Sequence, residues 1–411
     1  MNSFASPGAT PPRAEPTPGW NQCLAHGAAG LALLHIAHAR TGRQNWSATH
    51  QWIIAMMRTP VSAHATTASL FQGAPAVAFV LRSAGNPEYE LVLNQLEAHV
   101  AVLTRVRLRD ALARMDSGTP PALREFDLIN GLTGLGVALL GQRDREDELL
   151  RGLLRYLVRL ASQPVFIDGQ PRPGWWTAHA PTDRLSAQWP GGHANFSLAH
   201  GISGPLALLS FALRAEITVD GHHEAIETIC AQQDQWRLDT DRPRWPGILV
   251  NTEWASKRVR RSGTERPSWC YGLPGIARAR QAAGIALGDR RKQHEAEGAL
   301  AACLRDERQL ALVRENSLCH GRAGLVLAAW RAGTEATASA ELTALARQLP
   351  HKPESELSHP ADQDGLFNGT AGAELVRHTV SSALARQPMS AWDACLLLAP
   401  TTSIASPEGT E

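Results

Sequence analysis

A short pattern, Gly-x-x-Gly followed by an apolar run, recurs along the whole chain and constrains the fold more than any other feature. The stretches between consecutive copies carry Leu, Ala and Arg at helical spacing, as in "DELLRGLLRYLVRLA". Each repeat therefore predicts a helical hairpin, which can bury its apolar face only when hairpins stack. The first glycines of the seven copies are Gly27, Gly73, Gly131, Gly201, Gly272, Gly321 and Gly369.

Stacked hairpins either continue as a solenoid or close into a ring, and the glycines favour the ring. Because they lack a Cβ, they allow the starts of the inner helices to crowd together near one end of a central axis. A solenoid has no such crowded point. We therefore predict an all-α fold, an α/α toroid (barrel) of seven helical hairpins. The second copy has Ala76 in place of its paired glycine, which should affect only packing.

The spacing of the copies predicts one large domain with two insertions. A chain of 411 residues could form two or three domains or a single repetitive one, and the repeats favour a single toroid over residues 20–400. Segments around 161–196 and 235–268 are rich in Pro, Trp and turn residues, and we expect insertions there, as loops or short strands near the site. Residues 1–19 predict a disordered lead-in, and 401–411 a flexible tail.

Composition excludes several classes of protein. Hydrophobic residues make up 44% and charged residues 19%, as in ordinary globular proteins. The 40 basic and 39 acidic residues give a net charge of +1, so nothing predicts nucleic-acid binding. Neither a secretory signal nor a transmembrane segment is indicated, so we expect a cytoplasmic protein. The 6 cysteines are then reduced thiols or metal ligands rather than disulfides.

The residue just before the first glycine is polar in every copy. If the hairpins superpose, these side chains point the same way, toward the axis, where core packing would require apolar residues. The row therefore predicts a wet functional opening at one end of the barrel, although Asn130 and Asn368 are better explained as helix caps. The seven residues are His26, Gln72, Asn130, His200, Tyr271, His320 and Asn368.

Two cysteines occupy matching positions in neighbouring copies, "SWCYGLPG" and "SLCHGRAG". Cys270 and Cys319 each lie two residues before the first glycine, and His320 follows Cys319 directly. Two thiolates and an imidazole predict a Zn²⁺ site whose fourth position is open to water or substrate, as in catalytic zinc sites. The alternative is two buried free cysteines, which are common. Cys23 and His26 form a rival pair, but Cys23 lies farther from its glycine and is interpreted as a packing residue.

On these motifs the chain resembles the lanthionine synthetase C-like family, the zinc-dependent cyclases of lanthipeptide biosynthesis. The resemblance covers nearly the whole chain and includes "GGHANFSLAHGISG" ahead of the fourth inner helix. It implies seven inner and seven outer helices, with one zinc ion per chain bound by Cys270, Cys319 and His320. Ser197 replaces a glycine often found in the histidine motif, which should reshape the His200 loop slightly.

The resemblance also implies four catalytic residues around the metal: His200, Asp127, Arg266 and Tyr271. The implied reaction adds a peptide cysteine to dehydroalanine or dehydrobutyrine and forms a lanthionine or methyllanthionine thioether ring. His200 is the candidate general acid, with Asp127 orienting its ring. Arg266 either stabilises the enolate or forms a structural salt bridge with Asp127, and Tyr271 either donates a hydrogen bond or shapes the pocket.

The chain looks like a stand-alone cyclase, so the implied partners are a dehydrated precursor peptide with its leader and a separate lanthipeptide dehydratase. Any membrane association would come through such a biosynthetic complex. The alternative is a non-cyclising, zinc-bearing protein that binds a thiol peptide or glutathione. The presence of His200, Asp127 and Arg266 favours the cyclase. Transfer of an isoprenoid to a thiol is disfavoured because the sequence has no Asp-rich diphosphate motif.

Overall fold

The computed structural model describes residues 4–400 except 7, 143–146, 240–241, 260–265, 338, 350–363 and 386–389. These residues are mostly helical. Their α-helices are α1 (Ala28–Arg40), α2 (Trp46–Met56), α3 (Ala74–Ala84), α4 (Glu90–Asp116), α5 (Leu123–Phe126), α6 (Leu132–Leu140), α7 (Asp147–Ser162), α8 (Ser203–Arg214), α9 (His222–Asp234), α10 (Asn251–Ser256), α11 (Leu273–Leu287), α12 (Arg290–Arg305), α13 (Glu307–Ala311), α14 (Arg322–Glu335), α15 (Ser339–Gln348) and α16 (Thr370–Leu384).

The helices that follow the glycine pattern form a closed inner ring of α1, α3, α6, α8, α11, α14 and α16. Each begins within two residues of the first glycine of its copy. Each also contacts the next, and α16 contacts α1. The last contact excludes an open solenoid, because the terminal repeats of a solenoid lie far apart. The predicted α/α toroid is therefore confirmed.

Six further helices pack outside the ring, each on the inner helix before it: α2, α4, α7, α9, α12 and α15. The described residues contain no seventh outer helix of this kind. After α16 they form a 3₁₀ turn, Trp392–Leu396, which is buried and contacts α6. The indole of Trp269 donates a hydrogen bond to Leu396 O at 3.0 Å, so this turn lies among the inner helices. Of the helices described, none combines the length and apolarity that crossing a membrane requires.

Both predicted insertions contain short strands. β1 (Val165–Ile167) pairs antiparallel with β2 (Gln170–Arg172) within the first insertion. β3 (His193–Asn195), at the end of that insertion, pairs antiparallel with β4 (Ile248–Val250) of the second. The two insertions are therefore joined by a small sheet, directly ahead of the loop that carries His200.

The described part of the lead-in contacts the first hairpin, although its composition predicts disorder. The indole of Trp52 donates to Ala9 O at 2.8 Å, and Arg58 donates to Pro12 O at 2.7 Å. A Pro-rich segment leaves many carbonyls unpaired, and side chains of the toroid use them as acceptors. The predicted tail, 401–411, lies outside the described residues, and the division into lead-in, toroid and tail stays a prediction.

The two glycines of each pair permit two different close approaches. The first lets the loop fold back on itself, since a Cβ on Gly321 would lie 2.2 Å from Ser317 N. The second lets neighbouring repeats meet, since a Cβ on Gly275 would lie 2.9 Å from the Cβ of Leu198 in the preceding repeat. The helix starts are therefore crowded, as the repeat pattern predicts.

We expect Gly321→Ala to destabilise the protein by about 1–3 kcal/mol, because overpacking forces the backbone to shift. The new methyl group would meet Ser317 N at 2.2 Å and Glu315 O at 2.6 Å, and neither backbone atom can rotate away. Gly298→Ala is the control, since nothing lies within 4 Å of a Cβ there and alanine favours a helix interior by about 0.5–1 kcal/mol. Urea unfolding measures both variants, and equal stabilities would contradict the steric explanation.

Buried histidines lie at the seam where α1 meets α16. The rings of His38 and His378 are edge-on, with centroids 5.1 Å apart. Glu374 Oε1 lies 3.7 Å from His38 Nε2, too far for a hydrogen bond. Burial, assisted by the charges of Arg43 and Arg377, lowers the pKa of His38 to about 4. Burial and the neighbouring His38 lower the pKa of His378 to about 4 as well.

We expect acid to weaken this seam. Both rings are neutral in the folded protein, whereas an unfolded histidine has a pKa of about 6.5, so the unfolded chain takes up protons first as the pH falls. The contribution of the neutral rings to stability is complete above pH about 6.5 and is lost between that pH and about 4. The urea midpoint should fall over this window, and the His38→Gln/His378→Gln double variant should fall less steeply. Parallel pH profiles for the two proteins would contradict this explanation.

Candidate metal centre and acid–base site

Four consecutive loops before inner helices share one turn. In each, the residue four positions before the first glycine accepts a hydrogen bond from the backbone N–H of the residue just before that glycine. Each bond spans three residues and fixes the direction in which the polar residue leaves the loop. The pairs, acceptor first, are Asp127 with Asn130 (2.7 Å), Ser197 with His200 (3.2 Å), Ser268 with Tyr271 (3.3 Å) and Ser317 with His320 (3.3 Å).

Cys270, Cys319 and His320 lie together at the fifth and sixth loops. Their ligand atoms are all within 4.8 Å of one another, the one such group of three among the described residues. Cys270 Sγ is 3.1 Å from His320 Nδ1, and both cysteines are buried. Two soft sulfurs and an imidazole fit zinc better than magnesium or calcium. The group is therefore a possible metal site.

The pKa shifts of the two cysteines are also consistent with a cation bound between them. The hydrogen bond with Cys319, followed by that with His320, lowers the pKa of the Cys270 thiol despite its burial. The same contact with Cys270, together with burial, raises the pKa of Cys319. One thiolate is therefore stable in this pair, and a second becomes stable only beside a positive charge.

Cys23, the rival candidate, takes a different place. It lies four residues before Gly27, the position of the turn residue, and its sulfur is 3.4 Å from His26 Nδ1. Burial raises the pKa of Cys23, which keeps it a neutral thiol. Cys23 and His26 are therefore not part of the group formed by Cys270, Cys319 and His320.

Asp127 and His200 form a buried acid–base pair on the third and fourth loops. His200 Nδ1 lies 2.7 Å from Asp127 Oδ2, and the aspartate is 1% exposed. Since a carboxylate only accepts, Nδ1 carries the proton and Nε2 remains for chemistry. Burial alone lowers the pKa of His200, but the hydrogen bond and charge of Asp127 outweigh it and raise the pKa overall.

Tyr271 links this pair to the cysteine group. Its ring stacks on that of His200, with centroids 5.5 Å apart. Burial raises the pKa of Tyr271 to about 12, even though the neighbouring side chain of Asn195 lowers it. Its phenol is therefore neutral and able to donate.

The sequence reasoning missed Asn195. This residue is fully buried, and its Oδ1 accepts from Ser197 N at 3.0 Å, while its side chain is near enough to Tyr271 to lower the pKa of that phenol. It thus lies between the fourth loop and the fifth. The signal available in the sequence was its place within "GGHANFSLAHGISG", but the motif alone does not show which side chain it contacts.

Arg266 lies beside the metal loops rather than in an ion pair with Asp127. Its Nη1 is 3.5 Å from Glu315 Oε1, and its side chain is 44% exposed. The hydrogen bond with Cys270 has the largest effect on the pKa of both Cys319 and His320 and raises it, whereas the charge of Arg266 has a smaller effect and lowers it. The salt bridge with Asp127 considered from the sequence is therefore wrong, because that carboxylate is already bonded to His200.

The site residues follow one another around the rim in the order of their loops. Leu128 N donates to Ala199 O at 3.0 Å, and Ala199 N donates to Cys270 O at 3.2 Å, so backbone bonds join the third, fourth and fifth loops. This arrangement brings together the seven site residues named from the sequence, although Asp127 and His320 are far apart in the chain. An acid–base pair and a potential metal centre therefore share one face of the toroid.

Comparison with known proteins agrees with this architecture. The sequence model of a family described as lanthionine synthetase C-like protein matches residues 19–397. The nisin biosynthesis protein NisC of Lactococcus lactis subsp. lactis is 26% identical over 270 residues, which cover 63% of this chain and 61% of NisC. The chain thus spans less than two thirds of that curated relative. The solved structure of a nisin cyclase superposes with a TM-score of 0.72 and 22% identity over 93% of each chain.

Proposed function

The chain belongs to the lanthionine synthetase C-like family, and from this premise we propose that it is a zinc-dependent lanthipeptide cyclase. In the proposed reaction a peptide cysteine thiol adds to the β-carbon of dehydroalanine or dehydrobutyrine. A C–S bond forms, and the α-carbon takes up a proton, which gives lanthionine or methyllanthionine. The observation that carries the proposal is that the Cys270–Cys319–His320 group and the Asp127–His200 pair occupy neighbouring loops of one rim.

Cys270, Cys319 and His320 are the residues that would hold the metal, one Zn²⁺ per chain. When bound there, zinc would supply a Lewis acid that lowers the pKa of a substrate thiol from its usual value of about 8.5. Three protein ligands leave a tetrahedral ion one further position. Both cysteines are buried, which limits the contact of this centre with bulk water.

His200 is the residue proposed to move the proton. Its raised pKa favours a protonated ring near neutral pH, and Asp127 directs the free Nε2 edge away from itself. We propose that His200 delivers a proton to the α-carbon. The proton that the substrate thiol loses then reprotonates His200. Tyr271, neutral and stacked on His200, is proposed to donate a hydrogen bond to the enolate oxygen, and Arg266 to stabilise its charge.

The second candidate function is a zinc-bearing protein that binds a thiol peptide or glutathione without cyclising it. Such a protein needs the metal ligands Cys270, Cys319 and His320 but no acid–base pair. A buried carboxylate that raises the pKa of a neighbouring histidine is costly and is typical of acid–base catalysis. This pair therefore supports the cyclase. The proposed partners are a dehydrated precursor peptide with its leader and a separate dehydratase, acting in the cytoplasm.

Incubation with a dehydrated precursor peptide tests the proposal. The number of thiols that an alkylating reagent can label, counted by mass spectrometry, should fall by one for each ring formed. Protein stripped of zinc should leave the count unchanged. An unchanged thiol count after incubation with the zinc-loaded protein would rule out the cyclase and favour the binding protein.

A further inference from the structure

A polar cavity of about 220 Å³ lies beside the Asp127 loop, between the second and third repeats. Its polar lining consists of hydroxyl, amide and guanidinium groups, all of which can donate hydrogen bonds. Among the described residues that line it, none is a carboxylate. The polar lining residues are Thr66, Thr67, Ser69, Arg107, Arg124 and Asn130.

Arg107, on α4, is held in place at this cavity. Its Nη1 donates to Ala68 O at 3.2 Å and its Nη2 to Arg124 O at 3.0 Å. These bonds use two of the five guanidinium N–H groups. The described ion pairs nearby join Arg114 to Glu125 and Arg124 to Asp183, and none of them includes Arg107. The cation is thus fixed in position with donors to spare.

A second cation flanks the same cavity. Arg124 is 64% exposed and pairs loosely with Asp183 at 3.8 Å. The charge of Asp127 offsets the repulsion between Arg107 and Arg124, and an anion placed between the two guanidinium groups would be attracted to both. Planar guanidinium groups match a carboxylate well, since each can donate two parallel bonds to it.

The cavity lies next to the site residues on the rim, one loop beyond His200. The metal residues lie on the sixth and fifth loops, His200 on the fourth, and Asp127 and Asn130 on the third. Asn130 lines the cavity, and its backbone N–H bonds Asp127 at 2.7 Å. An extended peptide with its reacting atoms near His200 can therefore reach the cavity by following the rim by one loop.

We propose that this cavity is a carboxylate-binding subsite that takes an acidic residue of the peptide substrate. The carboxylate lies between Arg107 and Arg124 and accepts hydrogen bonds from both. The peptide nature of the ligand rests on the proposed function, whereas the preference for a carboxylate rests on the cavity alone.

The test uses two small probes that differ only in charge, N-acetyl-glutamate methylamide and N-acetyl-glutamine methylamide. Calorimetry on the full-length, zinc-loaded protein should show the glutamate probe binding at least about tenfold tighter, as expected for charge-assisted hydrogen bonds. Arg107→Gln and Arg124→Gln should each abolish most of this preference. Arg109→Gln is the matched control, because that residue is on the same helix, 72% exposed and paired with Asp110.

Equal binding of the two probes to the wild-type protein would overturn the proposal, as would a preference that survives both variants. Inorganic phosphate is the third probe, and tighter binding of phosphate than of the glutamate probe would replace the carboxylate with a phosphorylated ligand. If Arg107→Gln fails to fold, the exposed Arg124 still provides the test.

Since binding is measured without cyclisation, an active cyclase lacking the preference refutes this inference alone. A preference in a protein that leaves thiol counts unchanged refutes the proposed function alone.

Discussion

Cys319→Ala should lose its zinc while the toroid stays folded. Substitution of groups that merely hydrogen-bond a metal ligand costs about 10–100-fold in affinity, so loss of a ligand should exceed about 100-fold. Zinc content by elemental analysis should then fall from one ion per chain to a small fraction. The helical circular dichroism should change little, because the ring is built from a large buried Leu and Ala core.

Cys303→Ala is the matched control for this variant. Cys303 is also buried, but it lies on α12 and its sulfur bonds Gln309 Oε1 at 3.4 Å, away from the metal group. This variant should retain its zinc. Full zinc occupancy in Cys319→Ala would show that the ligand assignment is wrong, whatever the activity of the variant.

His200→Asn should slow cyclisation by about 10²–10⁴-fold, the usual contribution of a positioned general acid. Zinc content should be unchanged, because His200 is not among the three grouped ligands. Single-turnover mass spectrometry of thioether formation measures the rate. His223→Asn, at an exposed histidine on α9, is the control and should keep the wild-type rate. A near-normal rate in His200→Asn would assign the proton transfer to another group.

The pH profile of Asp127→Asn separates an acid from a merely structural histidine. In the wild type, Asp127 raises the pKa of His200, so the protonated form persists to higher pH and the rate should decline as the pH rises through that pKa. Without the carboxylate the decline should occur at lower pH. A lower rate with an unmoved profile would show that Asp127 acts only by positioning the ring.

Much of the site was accessible from the sequence because it is built by repetition. The residue before each glycine occupies the same place in every loop, so the spacing alone placed His200, Tyr271 and His320 in one row. The same register brought Cys270 and Cys319 into matching positions. The expected roles of Asp127 and Arg266 came from the family resemblance. Spacing places Asp127 at the turn position that Ser197, Ser268 and Ser317 hold in the next three loops, but it indicates no chemical role there.

The sequence by itself determined the repeat, and with it the hairpins, the crowded helix starts and the loops that carry the chemistry. Tertiary structure decided which groups meet across loops: Asp127 with His200, Arg266 with Glu315, and Cys270 with His320. It also decided that the chain after α16 turns inward at Trp392–Leu396. The physical reason is that the repeat pattern is local in the sequence, whereas these contacts are not. Periodicity reports the local geometry that each repeat imposes on its own residues, whereas a hydrogen-bond partner depends on where the closed ring brings distant loops together.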